Sequence, residues 1–392
     1  MKYLKFMPGN DIKSASRNKR ELACAHEYGY ECYCYCENRS DVKFDESEDG
    51  FSLIVPKIRR PEITMPKIKR LLIIFKNVFI YMAGAKKAKA DVISCHNIFG
   101  LSVAYFAHFF VPKSKKPKFI YDSHEFELNK RKRNAITTFF IKTLEGFLIK
   151  KCAFTIMINE SIADSVAKIH KYDYKRIIIR STPDYWNIDE EVSRKMHDEY
   201  CDKLQIPRDS FIVLYHGMLV RYRGIEELLR AMSINDKFYT VMVGDLPSAI
   251  FNKKYFSLLK EYGVEDRILQ YPLQPQEELW KYVSAADCGV VMNNTDNPNY
   301  IYALPNKFFE NIQAMTPIIC TNSLEMARII NEYDIGILSP SGDGEKLAQN
   351  IERMRTDKEL YAKFKKNLVK AKSNLCWEKE KKKFFDAFDK YL

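Results

Sequence analysis

The stretch LPNKFFENIQAMTPII, residues 304–319, reads as an amphipathic helix running into a buried strand. Pro305 and Asn306 open it, and Phe308, Phe309 and Ile312 supply an apolar side at helical spacing. Pro317 ends it just before the apolar run of the strand. A helix delivered straight into an apolar strand is the unit of a parallel sheet with crossover helices. Within that unit, Lys307 and Glu310 need a reason. Glu310 is either a carboxylate near a helix start, favoured by the macrodipole, or a group that grips a ligand where the first turn faces a cleft.

The same alternation runs outward in both directions. FIVLYHG, YTVMVGD, RILQYP and CGVVMN precede this unit and IGILS follows it, each reading as a strand between helical patterns. In the first half ECYCYC, DVISC, KFIYDS, FTIMIN and RIIIR do the same, with helices around 16–26 and 135–150. Between Pro183 and Pro207 the strand signal stops and DEEVSRKMHDEYCDKL reads as a connection, partly helical. The expected architecture is α/β: two Rossmann-like domains facing across a cleft, with ligands beyond the carboxyl ends of the strands. The expected division is a first domain at 1–185, a connection at 186–208, a second domain at 209–375 and a closing helix at 376–392. Phe384, Phe385 and Phe388 recur along that helix, which is expected to pack back toward the first domain.

Composition fits two globular domains: 392 residues, 46% hydrophobic and 29% charged, which excludes disordered and fibrous classes. The net charge of +12 suits nucleic acid, an anionic membrane or phosphorylated substrates, without choosing among them. The start, MKYLKFMPGND, has no apolar core of signal-peptide length, and a cytoplasmic protein is expected. RLLIIFKNVFIYMAGA, 70–85, is broken by Lys76 and Asn77 and is too short to span a bilayer. It reads as a packed helix, with an interfacial membrane helix as the alternative. Cys32, Cys34 and Cys36 share one face of a strand, and their spacing is not that of a zinc site, so buried thiols are expected. No GxGxxG follows a strand, no GxxxxGK[ST] occurs, and Leu128 stands where a zinc-protease motif starting at His124 needs its second histidine.

Several segments together resemble the family-four retaining glycosyltransferases of the GT-B fold, above all bacterial members that build capsule, exopolysaccharide or lipopolysaccharide. YHGMLVRYRGIEELLRAM is similar to that family's first strand–loop–helix of the nucleotide-binding domain, and YIYALPNKFFENIQAMTPII to its signature helix. The stretch from DLPSAIF to AADCGVVMNN follows its middle, while SRNKRELACAHEYGYECY, ADVISCHN and FIYDSHEFE match the acceptor-domain pattern. The resemblance implies transfer of a sugar from a nucleotide-diphosphate donor, such as a UDP- or GDP-sugar, to a hydroxyl of a glycan or lipid-linked acceptor. Configuration would be retained, with no cofactor, and the absence of an Asp-x-Asp motif agrees with metal independence.

The resemblance also assigns residues. Gly217 and the loop after it would meet the diphosphate, where Met218 replaces a common arginine, Arg223 takes the place of a lysine, and Arg221 adds a charge. Glu310 matches a glutamate that binds ribose hydroxyls, and Tyr302 stands where a first glutamate belongs. Asn306 and Lys307 sit where backbone amides and a cation meet the diphosphate at a helix N-terminus. On the first domain Gly9, Asn10, Arg17, His96 and His124 are the acceptor-side candidates. Arg223, Glu310 and His124 are the candidates for catalysis.

Two other classes compete: a GT-B-fold sugar-nucleotide epimerase or phosphorylase, and a basic nucleic-acid-binding protein. Against the last, the basic residues are scattered and no nucleic-acid signature occurs. Between Pro112 and Arg133, eight Lys/Arg face three Asp/Glu, including KRKR at 130–133. An anionic membrane surface is therefore an expected partner, with peripheral attachment at the inner face of the cell membrane.

Overall fold

The computed structural model describes residues 1–12, 16–37, 50–62, 64–124, 126–129, 134–246, 249–295 and 298–392. The KRKR run at 130–133 lies outside them. The chain forms two compact units, Met1–Arg180 with Lys381–Leu392, and Ser181–Glu380.

Unit 1 alternates β1 (Lys2–Met7), α1 (Ser16–Glu27), β2 (Glu31–Cys36), β3 (Phe51–Ile54), α2 (Lys67–Lys87), β4 (Val92–Cys95), α3 (Ile98–Ala107), β5 (Lys118–Ser123), α4 (Ala135–Ile149), β6 (Phe154–Met157), α5 (Glu160–His170) and β7 (Arg176–Ile178). Its strands pair in parallel in the order β3-β2-β1-β4-β5-β6-β7. Central strands β4 and β6 are buried at every position, as apolar runs without alternation require of a sheet covered on both faces. Asparagine starts three of the helices: the Asn97, Asn134 and Asn159 side chains accept from the N–H groups of Gly100, Thr137 and Ile162 at 2.8, 2.8 and 2.9 Å.

Unit 2 begins with α6 (Glu190–Leu204) and continues through β8 (Phe211–His216), α7 (Ile225–Ile234), β9 (Phe238–Val243), α8 (Ala249–Tyr262), β10 (Ile268–Tyr271), α9 (Leu279–Ser284) and β11 (Cys288–Val291). Then come α10 (Pro298–Ile301), α11 (Asn306–Gln313), β12 (Ile318–Thr321), α12 (Leu324–Tyr333), β13 (Gly336–Ser339), α13 (Gly344–Thr356) and α14 (Lys358–Asn374). The sheet order is β10-β9-β8-β11-β12-β13, again parallel. Strand order reverses between β1 and β4 in unit 1 and between β8 and β11 in unit 2; these are the switch points where such sheets hold ligands. The last helix, α15 (Trp377–Tyr391), starts in unit 2 and ends in unit 1.

Three readings change. The segment 186–208, expected as a connection, is part of unit 2: Tyr200 is fully buried and donates to the Tyr282 carbonyl at 3.0 Å, and the Trp186 N–H donates to Gln313 at 3.2 Å. Strand β3 (FSLI) had no counterpart among the expected strands. The helix expected to be packed, α2, buries only Asn77, Tyr81 and Ala85, and its Leu71, Leu72, Phe75 and Phe79 lie open. Cys32, Cys34 and Cys36 are buried free thiols.

Candidate functional sites

In unit 2 the chain leaves β8 through His216 and turns at Gly217, whose φ is +100°. The Gly217 N–H donates to the Val243 carbonyl at 2.9 Å, which ties the loop to the end of β9. The loop carrying Met218, Arg221 and Arg223 closes at Gly224, the N-cap of α7, with φ +83°. A Cβ there would come within 2.2 Å of the Met292 Cβ, so glycine is what lets the loop lie against the end of β11.

Helix α11 brings the second half of the site. Pro305 caps it without a side-chain hydrogen bond and its first turn holds no acid, so its leading N–H groups face outward with the positive end of the dipole. Glu310 is the fifth residue, beyond the turn in which a dipole acts, and it is buried. The helix-start reading of this carboxylate therefore loses its basis. His216 Nε2 lies 2.9 Å from its Oε2, and the Gln276 amide donates to Oε1 at 3.1 Å. Lys307 is 7% exposed, its Nζ has no hydrogen-bond partner among the described residues, and the ammonium stands 4.1 Å from the centroid of the Tyr215 ring. Burial, reinforced by the Arg223 charge and opposed by Glu310, pushes the Lys307 ammonium down to about 7. An ammonium so placed is short of an anion.

Of the other residues expected here, Asn306 is exposed at the helix start and Tyr302 is half-buried just ahead of it. Arg223 is half-buried. Arg221 is set differently. Its guanidinium lies 4.7 Å from the Tyr222 ring, on a cavity of about 420 Å³ shared with Glu226 and Arg230, whose lining includes neither Lys307 nor Glu310. His216, Gln276 and Tyr215 went unforeseen, being 94, 34 and 92 positions from the residues they serve.

In unit 1 the turn after β1 is made by Gly9, with φ +82°, and Asn10, whose carbonyl accepts from the Glu37 N–H at 2.8 Å. Beside it lies a buried charge cluster that periodicity did not show. Lys5, wholly buried in mid-strand, donates to Glu21, to Asp122 Oδ2 at 2.5 Å and to Ser94 Oγ at 3.3 Å. Arg17 spans the same two acids, Nη2 to Asp122 Oδ1 at 3.0 Å and Nε to Glu21 Oε1 at 3.2 Å. It is 4% exposed, so it organises the cluster and does not stand open to solvent. Burial alone would raise Asp122, yet His124, Lys5 and Arg17 outweigh it and hold its carboxyl well below the usual range. Burial and the Asp122 charge push Glu21 up to about 7.

His124 Nε2 lies 2.6 Å from Asp122 Oδ2. An ionised carboxylate accepts only, so the ring's proton is on Nε2 and its Nδ1 is left as an acceptor. Burial, with Arg17 and Lys5 adding to it and Asp122 opposing, pushes His124 down to about 4, so the ring is neutral at pH 7. His96 packs 4.1 Å from it, ring centroid to centroid, with its Nδ1 3.2 Å from the Asn18 amide nitrogen. His96, Asp122 and His124 are close enough to hold a metal ion. Asp122, however, is already shared by two cations, which oppose a third.

Two doubly wound parallel sheets in one chain, each with polar side chains gathered at its switch point, define an α/β protein of the GT-B class. The family Glycosyl transferases group 1 matches residues 196–370, so unit 2 carries that family's pattern. A lipopolysaccharide core biosynthesis glycosyltransferase, LpsD of Rhizobium meliloti, is 29% identical over 157 residues, 40% of this chain and 43% of that protein. The chain spans less than half the length of the curated relatives it matches, 43% and 36%. Among solved structures, HepE of Anabaena in complex with UDP superposes with a TM-score of 0.76 at 14% identity, covering 100% of both chains. A sucrose-phosphate synthase from Thermosynechococcus elongatus gives 0.74 at 17% identity, over 100% of this chain and 99% of that one. At such identities the likeness is one of fold.

Proposed function

We propose that the chain is a retaining glycosyltransferase of the hexosyltransferase type. It moves a sugar from a nucleotide-diphosphate donor to a hydroxyl of a glycan or lipid-linked acceptor in surface polysaccharide biosynthesis, in the cytoplasm at the inner face of the membrane. The observation that carries this is the pairing at the unit 2 switch point of Lys307, a buried ammonium without a hydrogen-bond partner among the described residues, with the Glu310 carboxylate one turn on. A nucleoside diphosphate suits this pair: the diphosphate meets Lys307 and the N–H groups of α11, and the ribose diol donates to Glu310 beside His216 and Gln276. LpsD acts in lipopolysaccharide core biosynthesis and HepE was solved with UDP; both support the choice.

In the reaction the bond from the anomeric carbon to the leaving phosphate breaks, and the bond to the acceptor oxygen forms on the same face. The acceptor proton passes to the departing diphosphate. Arg223, Lys307 and the α11 N-terminus stabilise the charge that develops there; removing one such donor costs about 3 kcal/mol, roughly a hundredfold in rate. On unit 1, His124 Nδ1 accepts a hydrogen bond from a second, non-reacting hydroxyl of the acceptor and so positions it. In this reading Tyr302, in the position of the missing first glutamate, contacts the donor sugar. No metal ion is assigned a step, and activity is expected to survive EDTA.

Titration calorimetry with UDP and GDP tests the donor site. Glu310→Gln is expected to lower affinity about tenfold to a hundredfold, because a hydrogen bond to a charged group is worth roughly 1.5–3 kcal/mol. Unchanged affinity with a lowered melting point would return Glu310 to a structural role. NMR of the product linkage tests retention, which an inverted anomeric centre would refute.

A further inference from the structure

Helix α2 turns Asn77, Tyr81 and Ala85 inward and leaves Ile68, Leu71, Leu72, Phe75 and Phe79 at 75, 68, 63, 63 and 55% exposure. These five fall three, four, seven and eleven positions on from the first, which is a single helical stripe. Large apolar side chains scattered singly are ordinary on a surface; a continuous stripe marks a contact. The same helix carries six Lys/Arg and no Asp or Glu, with Lys69 and Lys76 exposed along one edge of the stripe.

The neighbouring helices extend this pattern. Right-handed crossovers from β3 to β6 place α2, α3 and α4 on one face of the sheet. Helix α4 leaves Phe139 and Phe140 each 66% exposed, and Phe110, just beyond α3, is 94% exposed. The one carboxylate in α4, Glu145, is turned inward at 1% exposure, accepting from the Tyr121 hydroxyl and lying 2.9 Å from His170 Nε2. Among the described residues of α2, α3 and α4, no outward carboxylate stands beside these rings and cations.

A protein partner would have to answer such a face with fixed carboxylates. An anionic bilayer answers it with an apolar layer and mobile phosphates. No described helix is long and apolar enough to cross a membrane, so the match is to a helix lying along a surface. We infer that α2 lies in the headgroup layer of an anionic phospholipid bilayer, with Leu72, Phe75 and Phe79 among the acyl chains and Lys69 and Lys76 on lipid phosphates. This gives the membrane attachment of the proposed transferase a specific surface, and it stands on unit 1 alone, independently of nucleotide binding in unit 2.

Sedimentation of the full chain with vesicles of equal phosphatidylglycerol and phosphatidylcholine, against phosphatidylcholine alone, tests it. Binding is expected on the anionic vesicles, at least tenfold weaker on the neutral ones, and falling as salt rises. Leu72→Ser/Phe75→Ser/Phe79→Ser should lower partitioning about a hundredfold or more. Lys69→Gln/Lys76→Gln should lower it about thirtyfold, at ~1 kcal/mol per charge. Both variants should keep the wild-type circular dichroism and nucleotide affinity. A wild-type protein indifferent to anionic vesicles, or a triple serine variant that binds them as well as wild type, overturns the inference. So does a wild-type protein that leaves the vesicles alone but self-associates in sedimentation velocity while the serine variant stays monomeric, which assigns the face to a second copy.

Discussion

Lys307 shows how a binding residue weighs on the protein that carries it. Its ammonium is desolvated without a hydrogen-bond partner among the described residues, so folding lowers its proton affinity, and the group is pushed down to about 7. The unfolded chain binds this proton more tightly, so the contribution of Lys307 makes stability rise with pH from about 7 toward the ordinary lysine value. Lys307→Met fills the same space without a charge, and at neutral pH it should raise the melting temperature of the free protein by a few degrees. The same substitution should weaken UDP binding about a hundredfold, and calorimetry beside a melting curve reads both effects. A bound diphosphate restores the proton, so in wild type UDP affinity should fall as pH rises above about 7. The binding enthalpy should then track the ionisation enthalpy of the buffer. Binding with no proton uptake would remove Lys307 from the diphosphate site.

At the scale of elements, most of both sheets was legible because a strand buried on both faces must be an apolar run, and VISC, FTIM, CGVV and IICT are such runs. Strand β3 escaped because FSLI is fully buried only at Phe51 and half-buried after it, so it lacks the continuous buried run of those strands. The sites were legible only where a resemblance marked them. Periodicity relates neighbours along the chain, whereas Lys5 meets Asp122 across 117 positions and His216 meets Glu310 across 94. A signal was present all the same: a lysine in the middle of KYLKFM has no place in a covered strand unless acids on other elements await it. Helix α1 and strand β5 bring those acids, and β5 also aims His124. Nitrogen-15 NMR should accordingly show His124 neutral with its proton on Nε2 from pH 8 down to about 5, in line with a value near 4. A ring protonated on Nδ1 in that range would refute the assignment. Asp122→Asn should cut turnover and lower stability by about 3–5 kcal/mol, because it leaves buried cations uncompensated.

Across the whole molecule, the order of the chain and the order of the structure differ. Unit 1 opens the sequence, yet its last piece arrives only after unit 2 has been completed, in residues Lys381–Leu392. That piece is structural. Phe388 is 1% exposed and its ring meets those of Tyr3, Tyr28, Tyr30 and Phe154 at centroid distances of 6.0, 5.2, 5.8 and 6.5 Å. Lys381 pairs with Glu27 at 2.6 Å on the same side. Without α15 the strands of unit 1 would expose an aromatic cluster, so this unit cannot finish folding until α15 has been made. Phe388→Ala should therefore cost about 3–5 kcal/mol, and the cost should fall on unit 1. Hydrogen exchange followed by mass spectrometry should show faster exchange in β1 to β7, while β8 to β13 and the affinity for UDP stay at wild-type values. Truncation after Glu380 should do the same more severely. Equal loss of protection in both sheets would mean that the chain unfolds as one cooperative body, and that the terminal helix guards more than the sheet it packs on.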